Sequence, residues 1–447
     1  MPSNVDLREP LAALIAYARQ AGADAAEASY SVSESVSAEV RMGALEGVER
    51  EEARQASLRV FIGKRQAGAS ATDVSDGALK ALAERVTAMA KAAPEDRYCG
   101  LLDARYRATD FPDLDLEDSA RPSAEALRDL ALTAETAALA APGVVNSGGA
   151  SASSSAGAAA LMTSDGFYGA AHGTSYSFSV QPIAARDGKM ERDYDYGHTR
   201  FFADLPEADA IGRNAGARAA RRLGPRKIES QKAPVIFENR LAGRVLGPLF
   251  GAISGAAVAR GVSFLKDKLG AKVFADGFEI LEDPLKPRGL ASRAFDGEGG
   301  AVKRAALIED GVLTQWLLNA AAARQLGLEP NGHASAGHGG PPGVTTANLR
   351  VKPGALDLAG LMGAAGKGLL VTDMFSPSLN GNTGDWSIGV SGFWFERGEI
   401  AFPVSEVTVA GNLIDVFARL RPGADLDMRG SLETPSLIVD ALAIGGL

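Results

Sequence analysis

Cysteine is almost missing from this chain: Cys99 is the only one in 447 residues. No intrachain disulfide can form, which suits a reducing, cytoplasmic compartment. Histidine is scarce, with only His172, His198, His333 and His338. Long apolar runs are missing too. Residues 245–259 form the longest, too short to span a bilayer and interrupted by Gly247, Pro248, Gly251 and Gly255. Residues 1–20 read as a polar, charged helix without the apolar region of a secretory signal, so no membrane segment is expected. Positive charge is not in excess: the formal net charge is -9, which argues against a broad nucleic-acid footprint. There is no Gly-x-Ser-x-Gly elbow for a serine hydrolase. Residues 296–300 (Asp-Gly-Glu-Gly-Gly) carry two carboxylates that would repel phosphate, and no Gly-Lys-Ser/Thr follows.

What is present is the composition of an ordinary globular protein, 46% hydrophobic and 23% charged, long enough for two or three domains. Residues 11–20 read as a helix. Residues 30–40 alternate, with Tyr30, Val32, Val36, Ala38 and Val40 on one face and Ser31, Ser33, Ser35 and Ser37 on the other, the pattern of a half-buried strand. Leu58, Val60 and Ile62 give a second strand. Ser75 is a candidate N-cap for a helix carrying Leu79, Leu82, Ala83, Val86 and Ala90 at helical spacing.

The acidic stretch 110–122 holds two prolines and reads as a linker. Ser123 opens another helix, and residues 146–157, small and polar, read as a mobile loop. Asp165-Gly166 marks a hairpin, and Tyr176, Phe178 and Val180 alternate with serines. A helix from Pro206 closes with Arg218, Arg221 and Arg222, placed to complement its dipole. From residue 233 strands and glycines dominate, apart from a helix over 245–260. The expected fold is α+β: an N-terminal module over 1–110, a central module over 120–228, and a β-rich C-terminal domain over 229–447.

Ordered runs along the chain resemble the TldD/PmbA family, its PmbA (TldE-like) branch in particular. They include residues 21–27 (Ala-Gly-Ala-Asp-Ala-Ala-Glu), 191–196 (Glu-Arg-Asp-Tyr-Asp-Tyr), 295–299 (Phe-Asp-Gly-Glu-Gly), 331–333 (Asn-Gly-His), 392–396 (Gly-Phe-Trp-Phe-Glu) and 410–412 (Ala-Gly-Asn). The resemblance implies an α+β fold and a heterodimer of a TldD-like catalytic subunit, which carries zinc, with a non-catalytic one. It implies a cytoplasmic zinc peptidase acting on unstructured peptides. It also carries the label modulator of DNA gyrase, here read as an indirect consequence of proteolysis.

This chain departs from the family where its zinc motif should stand. The catalytic branch carries His-Glu-x-x-x-His on a helix and a Cys near the C-terminus. Here Gly247 and Ala252 fall near the His positions and Pro248 near the Glu, and the last hundred residues lack Cys. None of these side chains ligates a metal or acts as a general base. The implied role is a non-catalytic subunit, with no cofactor of its own, that helps enclose a peptide and pairs with itself when alone. Asn319, His333, Asn348, Thr383, Asp385, Ser391 and Gly392 are the candidate chamber residues. Small residues at Gly247, Gly251, Gly255 and Ala259 form a stripe suited to tight packing within the fold or against a partner. Two rival readings stay open: a self-sufficient metallohydrolase with a relocated site at His333 and His338, and a binding modulator without proteolysis.

Overall fold

The computed structural model describes residues 5–337 and 339–446. The N-terminal half contains α1 (Arg8–Gln20), β1 (Ala25–Arg41), β2 (Ala44–Ile62), β3 (Arg65–Ala71), α2 (Asp76–Ala92), α3 (Ala124–Leu139), β4 (Val144–Thr163), β5 (Tyr168–Arg186), β6 (Lys189–Arg192), β7 (Asp195–Thr199) and α4 (Ala208–Arg221). Its strands form one seven-stranded sheet in the order β3-β2-β1-β4-β5-β6, with β7 also on β5. The sheet crosses the acidic stretch: β1 pairs with β4 from Glu27↔Thr163 to Val40↔Ala150.

The helices cover one face of this sheet. Leu11, Leu14, Leu82 and Val86 pack on Tyr30, Leu58 and Val60. Leu127, Ala131, Ile211 and Ala215 pack on Ala38, Val40, Phe178 and Val180. Each large apolar side chain buried this way contributes about 1.5–3 kcal/mol. At α3, Ser123 Oγ accepts from Ala126 N–H, as its sequence position suggests. At α2, Ser75 occupies the cap position and its side chain makes no capping bond.

Residues 146–157 are a correction. They lie in β4, where residues 150–157 are paired on both sides by β1 and β5 and Asn146 and Ser147 by β5 alone. Ala150, Ala152 and Ala156 point into the helix-covered core and Ser151, Ser153 and Ser155 point away. Period-2 alternation is present, but between two small residue types with almost no hydrophobic contrast. Pairing with neighbours, rather than intrinsic propensity, sets the conformation.

The C-terminal half contains β8 (Gln231–Phe237), α5 (Asn239–Ala252), α6 (Gly255–Ala259), β9 (Ile280–Asp283), β10 (Ala305–Glu309), β11 (Val312–Leu313), α7 (Ala320–Leu326), β12 (Asn348–Val351), α8 (Leu358–Ala365), β13 (Lys367–Leu379), β14 (Asp385–Glu396), β15 (Glu399–Asn412), α9 (Leu413–Arg419), β16 (Arg421–Pro422), β17 (Leu432–Glu433) and β18 (Leu437–Gly445). One sheet runs β15-β14-β13-β8-β18-β16, and β15 also pairs with β18, so five of these strands close on themselves. A smaller sheet runs β11-β10-β9-β12-β17. With helices and sheet first and a β-rich region after, the architecture is α+β.

The single helix expected over 245–260 is two. Leu317 N–H donates to Ile253 O and Gly255 N–H to Leu317 O, each at 2.9 Å. This backbone pairing removes residues 253–254 from the helical pattern. No described helix is long and apolar enough to cross a membrane.

Candidate functional site

The run that the resemblance sets against the family's zinc motif lies on α5. Its buried side carries Leu241, Ala242, Val245, Leu246, Leu249 and Ala252. Its open side carries Arg244, Gly247 and Gly251. Gly247 therefore faces outward, Pro248 is half-buried, and Ala252 points into the core at 6% exposure. A Cβ added at Gly247 or Gly251 would meet nothing within 4 Å, whereas at Gly255 it would stand 2.5 Å from Leu318 Cδ2. The small-residue stripe thus divides: Gly255 serves packing within the fold, and Gly247 and Gly251 leave an open shelf.

Beside this shelf runs β13. It pairs in parallel with β8 as far as Val371↔Phe237 and then continues with β14 alone. Arg244 holds the departing strand, donating to Met374 O at 2.6 Å and to Phe375 O at 3.2 Å. Phe375 and Leu379 are exposed. The shelf and strand together offer backbone groups, two apolar side chains and one guanidinium. They offer no imidazole or thiolate, and the carboxylate on this part of the strand, Asp373, is paired with Arg222 at 3.1 Å, so this face does not fit zinc. Among the described residues, no three His, Cys, Asp or Glu side chains stand close enough to hold a metal ion.

The candidate chamber residues fall into separate neighbourhoods. Asn319 is buried, caps α7 through Ala322 N–H, and donates to Pro342 O at 2.7 Å. Asn348 is buried, accepting from Ala291 N–H and donating to Ser292 Oγ at 2.7 Å. Ser391 and Gly392 lie inside β14, both buried in the closed sheet. Thr383 and Asp385 are exposed at the turn before β14, where Thr383 Oγ1 donates to Asp385 at 2.7 Å. These bonds, with that from Asn412, hold the Asp385 carboxyl below its ordinary pKa.

His333 is buried. It is 4% exposed, with Nε2 2.7 Å from Glu282 Oε2 and Nδ1 2.8 Å from Asn331 Oδ1. Both ring nitrogens are engaged, leaving none open for a metal. His338 lies outside the described residues. Cys99 is buried, and burial pushes its thiol pKa up.

Sequence reading missed two charged networks that join the halves of the molecule. In the first, the run 191–196 meets the arginines at the end of α4. Arg222 reaches Asp373 at 3.1 Å, Asp193 at 3.5 Å and Glu191 at 3.7 Å. Arg240 donates to Asp193 at 3.1 Å, Glu238 at 3.2 Å and Tyr194 O at 2.7 Å. Arg429 meets Asp195 at 2.6 Å. The signal was the i, i+2 spacing of Glu191, Asp193 and Asp195 opposite a cluster of arginines, read in sequence as helix capping. In the second network Arg59 bonds to Glu27 at 2.9 Å and to Glu298 at 3.4 Å. Burial pushes the Glu27 and Glu298 carboxyls upward against the opposing pull of Arg59.

Fold and site together give an α+β protein in which the helix set against the zinc motif carries no metal ligand. Family models for the PmbA/TldA metallopeptidase match residues 26–90 (domain 1), 117–223 (central domain) and 230–446 (C-terminal domain). The chain is 37% identical to Metalloprotease PmbA of Escherichia coli O157:H7 over 95% of this chain and 92% of that protein. It is 35% identical to the Metalloprotease PmbA homolog of Haemophilus influenzae over 99% and 96%. Among solved structures, a Bacteroides thetaiotaomicron protein described as a modulator of DNA gyrase superposes with a TM-score of 0.91 at 26% identity, covering 98% of this chain and 99% of that one. TldE from Thermococcus kodakarensis shares the fold, with a TM-score of 0.87 at 18% identity over 98% and 100%. The chain belongs to the TldD/PmbA metallopeptidase family.

Proposed function

We propose that this chain is the non-catalytic subunit of a cytoplasmic TldD/TldE-type zinc peptidase that degrades or matures unstructured peptides. The zinc belongs to a TldD-like partner in a heterodimer, and the chain pairs with itself when that partner is absent. The observation that carries this reading is the residues that the resemblance sets against the zinc motif: Gly247 and Ala252 near the His positions and Pro248 near the Glu, none of which can ligate a metal. Similarity to PmbA proteins along nearly the whole chain supports it.

In this reading the shelf and the free edge of β13 beyond Val371 form this chain's wall of the peptide chamber. An extended peptide adds to that edge through main-chain hydrogen bonds, which tolerate many sequences. Thr383 and Asp385, exposed at the neighbouring turn, belong to the same wall. Asn319, His333, Asn348, Ser391 and Gly392 act from behind it by holding loops and strands in place.

Gly251→Trp tests the wall, because it fills the shelf without touching the core. The isolated variant should keep the parent melting temperature. Assembled with the zinc-bearing partner, it should cleave an unstructured peptide at least about tenfold more slowly, as expected when a contact surface is blocked. An unchanged rate would contradict the placement of the peptide on this face.

A further inference from the structure

Helix α5 carries two arginines one turn apart, and their surroundings differ. Arg240 is 1% exposed and paired with Asp193 and Glu238. Arg244 is exposed, and among the described residues it forms no ion pair. Asp373, the carboxylate on the neighbouring stretch of β13, is committed to Arg222 at 3.1 Å. The Arg244 guanidinium is nonetheless fixed in place. It donates to Met374 O at 2.6 Å and to Phe375 O at 3.2 Å, consecutive carbonyls of β13 beyond its last pair with β8. Those bonds leave its Nε–H and one N–H on each terminal nitrogen free. A tethered guanidinium has already lost side-chain freedom, so it is pre-organised for an anion.

Arg240, Arg244, Gly247 and Gly251 fall on one stripe of α5. At its N-terminal end the stripe is closed. The Tyr194 ring lies over Arg240 at 4.8 Å, and Tyr194 O accepts from the same guanidinium. Past Arg244 the stripe is open, because a Cβ at Gly247 or Gly251 would meet nothing within 4 Å. At about 1.5 Å per residue, Arg244 to Gly251 spans roughly 10 Å, the length of about three extended residues. The edge of β13 runs alongside, with Phe375 and Leu379 exposed. The result is a trough with one blocked end and a guanidinium at the block.

The charge selects the ligand. A cation would be repelled, and a neutral acceptor would leave the guanidinium charge uncompensated. A carboxylate supplies both the charge and two acceptor oxygens for the N–H fork, the strong pairing open to arginine. The blocked end selects which carboxylate. A chain that continued past Arg244 would run into Tyr194, whereas a chain that ends there would not. We propose that Arg244 captures the free C-terminal carboxylate of a peptide whose last residues lie over Gly247 and Gly251. The proposal rests on the peptide-handling role above and makes Arg244 a specificity-determining residue of this chain.

The test uses the full chain without its partner and two unstructured peptides labelled at the N-terminus with rhodamine. They are identical except that one ends in a free carboxylate and the other in an amide. Fluorescence anisotropy should give a Kd at least about tenfold lower for the acid, the scale of a charge-assisted hydrogen bond. Arg244→Gln should abolish that difference while leaving the amide's Kd unchanged, and Arg244→Lys should restore most of it. Gly247→Glu, at an exposed position with open space, sets a competing carboxylate one turn from Arg244. It should weaken the acid and spare the amide, which keeps the test decisive where Arg244→Gln fails to fold. A third peptide, amidated and ending in glutamate, should bind like the plain amide. Four outcomes would each overturn the capture. They are no binding, equal binding of acid and amide by the parent, equal loss of both in Arg244→Gln (the mark of a residue that only holds β13), and full affinity for the glutamate peptide. Because no proteolysis is read, such a failure alongside an active heterodimer would leave the peptidase role standing. Selective capture with a heterodimer that never cleaves would sink that role instead.

Discussion

Arg240→Ala should destabilise the folded chain by about 3–5 kcal/mol, the cost of breaking a buried ion pair from one side. The Arg240 side chain is 1% exposed and bonds to Asp193, Glu238 and the Tyr194 carbonyl. Its guanidinium also lies over the Tyr194 ring at 4.8 Å. Burial works against the charge, and Asp193 and Glu238 more than restore it, holding its pKa above the ordinary arginine value. Alanine would leave Asp193, 3% exposed, with Arg222 at 3.5 Å as its remaining cation. It would also detach the start of α5 from the run 191–196. Urea unfolding should show the loss as a lower midpoint, and a midpoint within experimental error of the parent would contradict it.

Gly392→Ala should cost about 3 kcal/mol or more, through overpacking that the surroundings cannot relieve. A Cβ at Gly392 would lie 1.9 Å from Leu370 O, 2.9 Å from Leu370 C and 3.0 Å from Val371 Cα. All three atoms are backbone of β13, so no flexible side chain can swing away. The ladder is already irregular there, with register shifts between Val390 and Gly392 and between Val371 and Asp373. Gly247→Ala is the matched contrast. Its added methyl meets open space within a helix, so it should gain up to about 1 kcal/mol from helix propensity alone. Equal effects from the two substitutions, followed by thermal unfolding, would show that the difference between a closed sheet and an open shelf has been misjudged.

These two glycines show how far the sequence could be read. Both stood in family-like runs, and nothing local distinguishes a glycine that admits a neighbouring backbone from one that leaves a surface bare. Strands with strong contrast, such as Tyr30 to Val40 and Tyr176 to Val180, were legible because large apolar residues alternate with serine. The stretch 146–157 was not, because alanine against serine hides the same alternation. The helix over 245–260 was legible in its first part, and its interruption was not, because it depends on Leu317, distant in sequence.

The candidate site followed the same rule. The lack of zinc ligands was plain from residue identities, since chemistry that no side chain supplies cannot be restored by folding. The network at Arg59 was hidden because Glu27, Arg59 and Glu298 come from segments that only the fold brings together. The burial of His333 was not legible because its partner Glu282 lies in β9, distant in sequence.

The central claim is that the chain belongs to a metallopeptidase family while carrying no metal site of its own. The most direct test is the zinc content of the full chain purified without its TldD-like partner, measured by elemental analysis after removal of loosely bound metal. The account predicts less than about 0.1 equivalent per chain, because a true site would be nearly full. About one equivalent per chain would contradict it and make His333 and His338 the first residues to substitute.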